Sequence, residues 1–179
     1  FRSADAATIK TTKPVPWKVT ENLRQRFWTL VAEPDEKKRG FAFEPFLTDF
    51  FAVHGLDPKG SFRIVGEQID GSFEWQGNTF LVEARWRAKP ANTADLLVLR
   101  GKAEKSDWTR GLFISINGFS DLATHTLQIG RKANLIAVSG QDLILVLEQH
   151  WTLHDALRAK LRHTGETAEA YKSLTELTK

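Results

Sequence analysis

The sequence predicts an α/β domain in which a central mixed sheet is flanked by helices. Two amphipathic helices come first, three strands follow, two of them as a hairpin, and strands then alternate with helices. Strands separated by helices require parallel crossovers, whereas hairpin strands pair antiparallel. With 179 residues, of which 41% are hydrophobic, the chain is long enough for one domain with a sizeable core.

Composition and charge limit the possible classes of function. The chain has no Cys, which excludes disulfides and thiolate metal sites and removes any need for an oxidising compartment. No apolar run approaches the roughly 20 residues that span a bilayer, and no signal peptide is visible, so we expect a cytoplasmic protein without membrane contact. The net charge of +3 and the pI of about 9.2 permit nucleic-acid binding without requiring it.

Three regions are expected along the chain. Residues 1–18 contain two prolines and little hydrophobic periodicity, which is typical of an arm or linker. Residues 19–165 hold the predicted elements of the domain. Residues 166–179 form a polar C-terminal tail, expected to be a fraying end of the last helix.

Two helices are predicted before the hairpin. The first begins at the N-cap Thr20 and ends in a charged loop over residues 33–40. The second runs from about Phe41 to His54 and is stopped by Gly55. Glu44 lies in its first turn, where it either complements the helix dipole or reaches toward acidic residues of the hairpin.

The hairpin occupies residues 66–87. Ile69–Trp75 is rich in β-branched and aromatic residues, and Thr79–Trp86 alternates in the same way after a turn at residues 76–78. Beyond it the patterns predict further elements, namely a helix from about Ala94 to Lys105 capped by Asn92 or Thr93, a buried strand Arg110–Ile116, a helix Ser120–Gly130, a strand Asn134–Val138, a turn at Ser139-Gly140, a helix or strand at Gln141–Leu147 and a terminal helix Trp151–His163.

The second strand of the hairpin carries the candidate chemistry. Alternation puts Glu83 and Arg85 on one face and Trp86 on the other, where it should pack under a helix. Asp70 stands on the preceding strand, where pairing can bring it close to Glu83. Two carboxylates beside a cation are unfavourable in a core but can hold a divalent metal next to a phosphate.

These segments resemble a known family. Gln-Ile-Asp-Gly-Ser-Phe at 68–73, followed by Phe-Leu-Val-Glu-Ala-Arg-Trp at 80–86, is similar to the bipartite PD-(D/E)xK motif of the restriction-endonuclease-like superfamily, and most closely to its Mrr-type nucleases. Gly-Phe-Ala-Phe-Glu at 40–44 resembles the family's first core helix, and Arg-Gly-Leu-Phe-Ile-Ser at 110–115 the strand after its crossover helix. The likeness spans roughly residues 39–147 and implies a three-layer restriction-endonuclease-like fold.

Carried over residue by residue, the resemblance implies a metal site. Asp70 and Glu83 become ligands of Mg²⁺, for which Mn²⁺ could substitute, and the backbone carbonyl of Ala84 a further ligand. Glu44 becomes an auxiliary acid. Arg85 occupies the position of the usual catalytic lysine. Since Arg stays protonated, it cannot act as a general base, but it can stabilise charge and fork onto a phosphate.

Substrate contacts are expected from residues around the motif. Gln68 lies two residues before Asp70 on the same face, and Arg87 and Lys89 follow the second strand. The cations after the hairpin either are ordinary surface charges or track a phosphate backbone as a group; they are Arg87, Lys89, Lys102, Lys105 and Arg110. The five His show no metal-ligand spacing.

The implied function is a Mg²⁺-dependent endonuclease that hydrolyses DNA phosphodiester bonds, as the cleavage domain of a restriction or antiviral defence system. No helix-turn-helix or zinc finger is evident, so target choice is expected from a partner subunit or another domain. Cutting both strands of a duplex favours a homodimer. The sequence leaves two alternatives open. One is a nucleic-acid-binding or assembly module of the same fold, weakened by Arg85, and the other is an RNA-cutting relative.

Overall fold

The structure, a computed structural model, describes residues 15–64, 66–125 and 133–177. Residues 1–14, most of the expected N-terminal arm, lie outside this part of the chain. The described helices are α1 (Trp17–Ala32), α2 (Glu36–Val53), α3 (Thr93–Ala103), α4 (Asp121–Thr124), α5 (Gly140–Leu147) and α6 (Leu153–Thr167). The described strands are β1 (Asp57–Lys59), β2 (Phe62–Ile64), β3 (Glu67–Ile69), β4 (Gly71–Trp75), β5 (Asn78–Arg85), β6 (Thr109–Ser115) and β7 (Leu135–Ser139).

A five-stranded mixed sheet with the order β1-β4-β5-β6-β7 forms the middle layer. The β1–β4 and β4–β5 pairs are antiparallel, whereas the β5–β6 and β6–β7 pairs are parallel. β5 is therefore the central strand, with an antiparallel partner on one side and a parallel partner on the other. β2 and β3 pair with each other in a separate ribbon. The predicted mixed sheet is confirmed.

Helices cover both faces of this sheet. One face, with Phe80 and Val82 of β5, packs in a large cluster with residues of α1, α2, α5 and α6. The other face, with Leu81 of β5, packs against Leu96 and Leu99 of α3 in a smaller cluster. Because successive residues of a strand point to opposite faces, Glu83 shares the α3 side with Leu81. The three-layer prediction is confirmed.

Both N-terminal helices begin earlier than predicted. α1 starts at Trp17, and Thr20 is not its cap, because the Thr20 hydroxyl donates a hydrogen bond to the carbonyl of Trp17 inside the first turn. α2 starts at Glu36, within the expected charged loop. Asp35 caps it by accepting from two backbone N–H groups, and such a cap makes a charged segment a good first turn.

The first hairpin strand is divided at Asp70. Glu67–Ile69 belongs to the ribbon, whereas Gly71–Trp75 pairs with β5, so the prediction of one continuous strand was wrong. The turn itself is confirmed: Gln76 and Gly77 have φ angles of 49° and 73°, as expected in a tight type I′ connection.

The C-terminal half differs from the prediction in two places. Ser139 and Gly140 do not form a free turn, because Ser139 caps α5 in a reciprocal capping box with Asp142; the undecided segment after them is helical. The segment after α6 is not a polar helix, since Ala170 and Leu174 are buried. In the Ser120–Gly130 segment α4 ends at Thr124, and residues 126–132 lie outside the described part.

Candidate active site

A cleft of about 710 Å³ opens where α2, the ribbon, β5 and α3 meet. Five carboxylate and four cationic side chains line it. They include Glu44, Asp70, Glu83, Arg85, Arg87 and Lys102. The hairpin and α2 thus bring Glu44, Asp70, Glu83 and Arg85, four residues singled out in the sequence, into one concave surface.

Asp70 lies at the junction of β3 and β4, against the adjacent strand. Its Oδ2 accepts a hydrogen bond of 2.9 Å from the backbone N–H of Ala84. The β4–β5 register pairs Gly71 with Val82, so Asp70 continues this ladder toward Glu83. The Asp70 carboxylate therefore meets the peptide group that joins Glu83 to Ala84.

Glu83 is a buried carboxylate between two cations. It is 5% exposed, and each of its oxygens has a cationic partner. Oε1 accepts from Nη2 of Arg85 at 3.1 Å, and Oε2 accepts from Nζ of Lys102 at 3.0 Å. An unpaired charge at this depth would be costly, so the two cations make the ionised carboxylate tolerable. Within the described residues, Nε of Arg85 is buried without a hydrogen-bond partner.

Glu44 lines the cleft from the first half of α2. Burial raises the pKa of its carboxyl, the neighbouring charges of Asp70 and Glu83 raise it further, and the Arg85 guanidinium opposes the shift. Of the two readings of Glu44, a dipole partner or a member of the acidic group, the geometry favours the second. Three carboxylates sharing one cleft repel one another, which favours a bound cation.

The predicted substrate contacts are distributed unevenly. Gln68 and Arg87 line the cleft, whereas Lys89 is exposed and is not among the lining residues. The backbone carbonyl of Gln68 accepts a hydrogen bond of 2.8 Å from Lys102. Arg87 is exposed just beyond the end of β5.

Lys102 appeared in the sequence only as one of a group of cations after the hairpin, and its place beside Glu83 was not predicted. It lies on α3, and its side chain is only 10% exposed. The Asn92 capping box fixes where this helix begins, and Leu99 and Ala103 anchor it on the sheet. These positions leave Lys102 on the edge of the buried face. The sequence signal was a lysine beside the apolar stripe of a crossover helix, a common pattern in ordinary surface helices.

The donor atoms suit a hard divalent cation. Two carboxylates and the adjacent Ala84 carbonyl offer oxygen ligands only, as Mg²⁺ prefers. Among the described residues, no three His, Cys, Asp or Glu side chains are already arranged as a metal cage. A cation bound here would therefore keep several waters and would compete with the ion pairs of Glu83, and Mg²⁺ usually keeps such waters.

Other predicted positions have structural roles. Trp86 stacks on Phe27 with ring centroids 5.6 Å apart and meets Phe43 edge-on at 5.0 Å, so its packing under the helices is confirmed. His154 accepts a hydrogen bond from the indole of Trp75. In the described chain, no helix is long and apolar enough to cross a membrane.

Comparisons with known proteins agree with this architecture. The family model described as a restriction endonuclease (Mrr_cat) matches residues 36–147, which contain α2 through α5 and the whole cleft. Among curated proteins, no match was found.

Two solved structures are similar to part of the chain. One is a protein of unknown function, AF1548, with 16% identity and a TM-score of 0.44, in which 54% of each chain is covered. The other is a repair endonuclease from Pyrococcus abyssi, with 14% identity and a TM-score of 0.40, covering 54% of this chain and 44% of that one. The chain thus spans about half the length of the structures it matches. The family match covers more than half of the chain, and the chain therefore belongs to the Mrr-type restriction endonuclease family.

Proposed function

We propose that this protein is a Mg²⁺-dependent endonuclease that cuts DNA, with Mn²⁺ as a substitute metal. The observation that carries the proposal is the 2.9 Å contact between the Asp70 carboxylate and the Ala84 N–H. It sets the Asp70 carboxylate against the peptide group after Glu83, in a cleft that both residues line together with cations. Such an arrangement suits the hydrolysis of an anionic ester.

In this proposal Asp70, Glu83 and the carbonyl of Ala84 hold the metal. The lining side chains sum to a formal charge of −1, and a divalent cation bound there would bring the cleft to +1, polarise the phosphoryl oxygen and lower the pKa of a water. Glu44 supports the site as an auxiliary acid.

The remaining residues contact the scissile phosphate and the neighbouring nucleic-acid backbone. Arg85 donates from a planar fork that fits two phosphate oxygens, and its buried Nε lacks a partner among the described residues. Gln68 and Arg87 border the cleft and contact the substrate backbone beside the cut bond. Lys89 lies outside the cleft lining and contacts a more distant phosphate.

A second candidate is favoured by the ion pairs of Glu83. Both of its oxygens already bind cations, and Arg cannot serve as a proton acceptor. A protein in which these pairs persist would bind nucleic acid through the same cleft without cutting it. The two candidates differ in whether the metal displaces a cation from Glu83.

The experiment is cleavage of supercoiled plasmid DNA with Mg²⁺ or Mn²⁺, with and without EDTA. Asp70→Asn and Glu83→Gln should each reduce cutting to background. Glu74→Gln, an exposed carboxylate on neighbouring β4, is the matched control and should cut normally. DNA binding without cutting by the unaltered protein would instead establish the binding module. Parallel assays with RNA decide between the two substrates.

The biological setting is also proposed. In this proposal the chain is the cleavage domain of a restriction or antiviral defence system. It acts in the cytoplasm, and a separate recognition domain or subunit selects the target. The nuclease unit is proposed to extend beyond the expected residues 19–165, from the start of α1 through the segment after α6, because Leu174 packs in the same core as the sheet. A homodimer would supply two active sites for a duplex. Analytical ultracentrifugation with and without DNA tests the dimer.

A further inference from the structure

Lys102 is buried in the cleft more deeply than an ordinary surface lysine. Lysine is rarely buried unless it is paired, and its side chain is 10% exposed here. Nζ donates to Glu83 Oε2 at 3.0 Å and to the carbonyl of Gln68 at 2.8 Å. The first acceptor is on β5 and the second on β3. Lys102 therefore bridges β3, which ends just before Asp70, and β5, which Asp70 contacts through the N–H of Ala84.

The two cations beside Glu83 differ in chemistry. Arg85 is a planar fork of fixed geometry, whereas Lys102 carries a compact ammonium on a rotatable stem with three donors. Two of those donors are used by Glu83 and Gln68. Because Lys102 also lines the cleft, its third donor can serve a ligand there. When an incoming cation takes Glu83 Oε2, a second donor becomes available.

We propose that Lys102 is a catalytic residue of this nuclease, donating from its ammonium to a non-bridging oxygen of the scissile phosphate. The amine thus comes from α3, while position 85 of the hairpin holds an arginine. This inference rests on the proposed function. In the reaction, water forms a new P–O bond, the bond to the leaving oxygen breaks, and a proton from the water ends on that oxygen. Lys102 remains protonated throughout and stabilises the charge on the phosphate.

The experiment compares lysine variants in metal-dependent DNA cleavage. Lys102→Met should reduce kcat by at least about 100-fold, the usual effect of losing one donor to developing charge. Lys102→Gln, which keeps polarity, should show a similar loss. Lys105→Met is the matched control, because Lys105 lies just after the same helix, pairs with Glu67 at 2.7 Å and does not line the cleft. Its kcat should be unchanged.

Two readouts separate catalysis from structural support. Binding of Mn²⁺ by calorimetry without DNA should persist in Lys102→Met, and its Tm should match that of Lys102→Gln. In the double variant Lys102→Met with Arg85→Lys, a lysine returns to the hairpin, and we expect at least about tenfold recovery of kcat.

Several outcomes would overturn the inference. Unchanged kcat in Lys102→Met would remove Lys102 from the reaction while leaving the nuclease proposal intact. Lost metal binding together with lost activity, and no recovery in the double variant, would make Lys102 a structural partner of Glu83. If the unaltered protein cuts no nucleic acid with any metal, the proposed function fails and the inference fails with it.

Discussion

Trp75 donates its indole N–H to Nδ1 of His154 at 2.9 Å, although the two residues lie 79 positions apart. Since indole can only donate, Nδ1 of His154 is unprotonated, and the other ring nitrogen donates to the carbonyl of His54 at 3.0 Å. This chain of contacts joins the end of β4 to the C-terminus of α2 through α6. His54 itself is 8% exposed.

Stability should fall in mild acid because of His54. Burial, with a contribution from His154, lowers the pKa of His54 to about 4 from 6.5. Above pH 6.5 both folded and unfolded states hold a neutral ring, so stability is complete there. As the pH falls toward 4, the unfolded state gains a proton that the folded state does not, and the free energy of unfolding should drop by about 3 kcal/mol.

Urea denaturation between pH 7.5 and 4 measures this loss. His54→Gln should flatten the profile over that range. His150→Gln, at an exposed histidine, should leave it steep. An equally steep profile in His54→Gln would assign the acid sensitivity to other groups.

Lys160→Met should destabilise the protein strongly. Lys160 and Asp142 are 2% and 1% exposed and lie 2.8 Å apart, while Asp142 also accepts from the backbone N–H of Leu174. Removing the cation leaves a buried charge, which costs about 3–5 kcal/mol in such pairs.

Chemical denaturation measures the change, with Lys172→Met as the control. Lys172 forms a partly exposed pair with Glu176, so its loss should cost less than about 1 kcal/mol. Equal effects of the two variants would contradict the importance assigned to burial.

Glu44→Gln should separate stability from activity. Relief of repulsion from Asp70 and Glu83, which raise the Glu44 pKa, should leave Tm equal or higher. Cleavage should fall roughly tenfold, as when a supporting partner of a metal site is removed. Asp49→Asn, an exposed carboxylate on the same helix, is the control and should change neither. Unaltered cleavage in Glu44→Gln would remove Glu44 from the site.

Gly140→Ala should destabilise the start of α5. A Cβ at Gly140 would lie 2.5 Å from the carbonyl oxygen of Ile116, a backbone atom directly after the end of β6, and we expect a cost of about 1–3 kcal/mol. At Gly101 in α3 a Cβ meets nothing within 4 Å, so Gly101→Ala should instead add about 0.5–1 kcal/mol. Thermal unfolding of both variants tests the contrast.

Features set by local chemistry could be predicted from the sequence. Asn92 was recognised as one of two possible caps of α3, because N-cap preference depends on a few neighbouring residues. Ser139 was misread, since Ser-Gly is also typical of turns, although the capping partner Asp142 lies three residues later. The strand β1 was missed because it has three residues, one of them Pro58, and only its pairing with β4 defines it.

Of the residues in the candidate site, those brought together by local pairing could be predicted from the sequence, and those brought together by tertiary packing could not. Alternation along β5 put Glu83 and Arg85 on one face, and the hairpin brought Asp70 beside them. Lys102 could not be found in this manner, because its contact with Glu83 spans 19 positions and depends on how the crossover helix lies on the sheet. Periodicity predicts which face of a helix is apolar but not which residue at its border reaches a neighbour.

Strand β3 of the separate ribbon lines one wall of the cleft, yet the β2–β3 ladder is independent of the five-stranded sheet. An insertion in the connection between these two strands would extend that wall while the pairing that aligns Asp70 with Ala84 stays as it is. The length of this ribbon can therefore set the height of one side of the cleft while the contact between Asp70 and Ala84 at its base is kept.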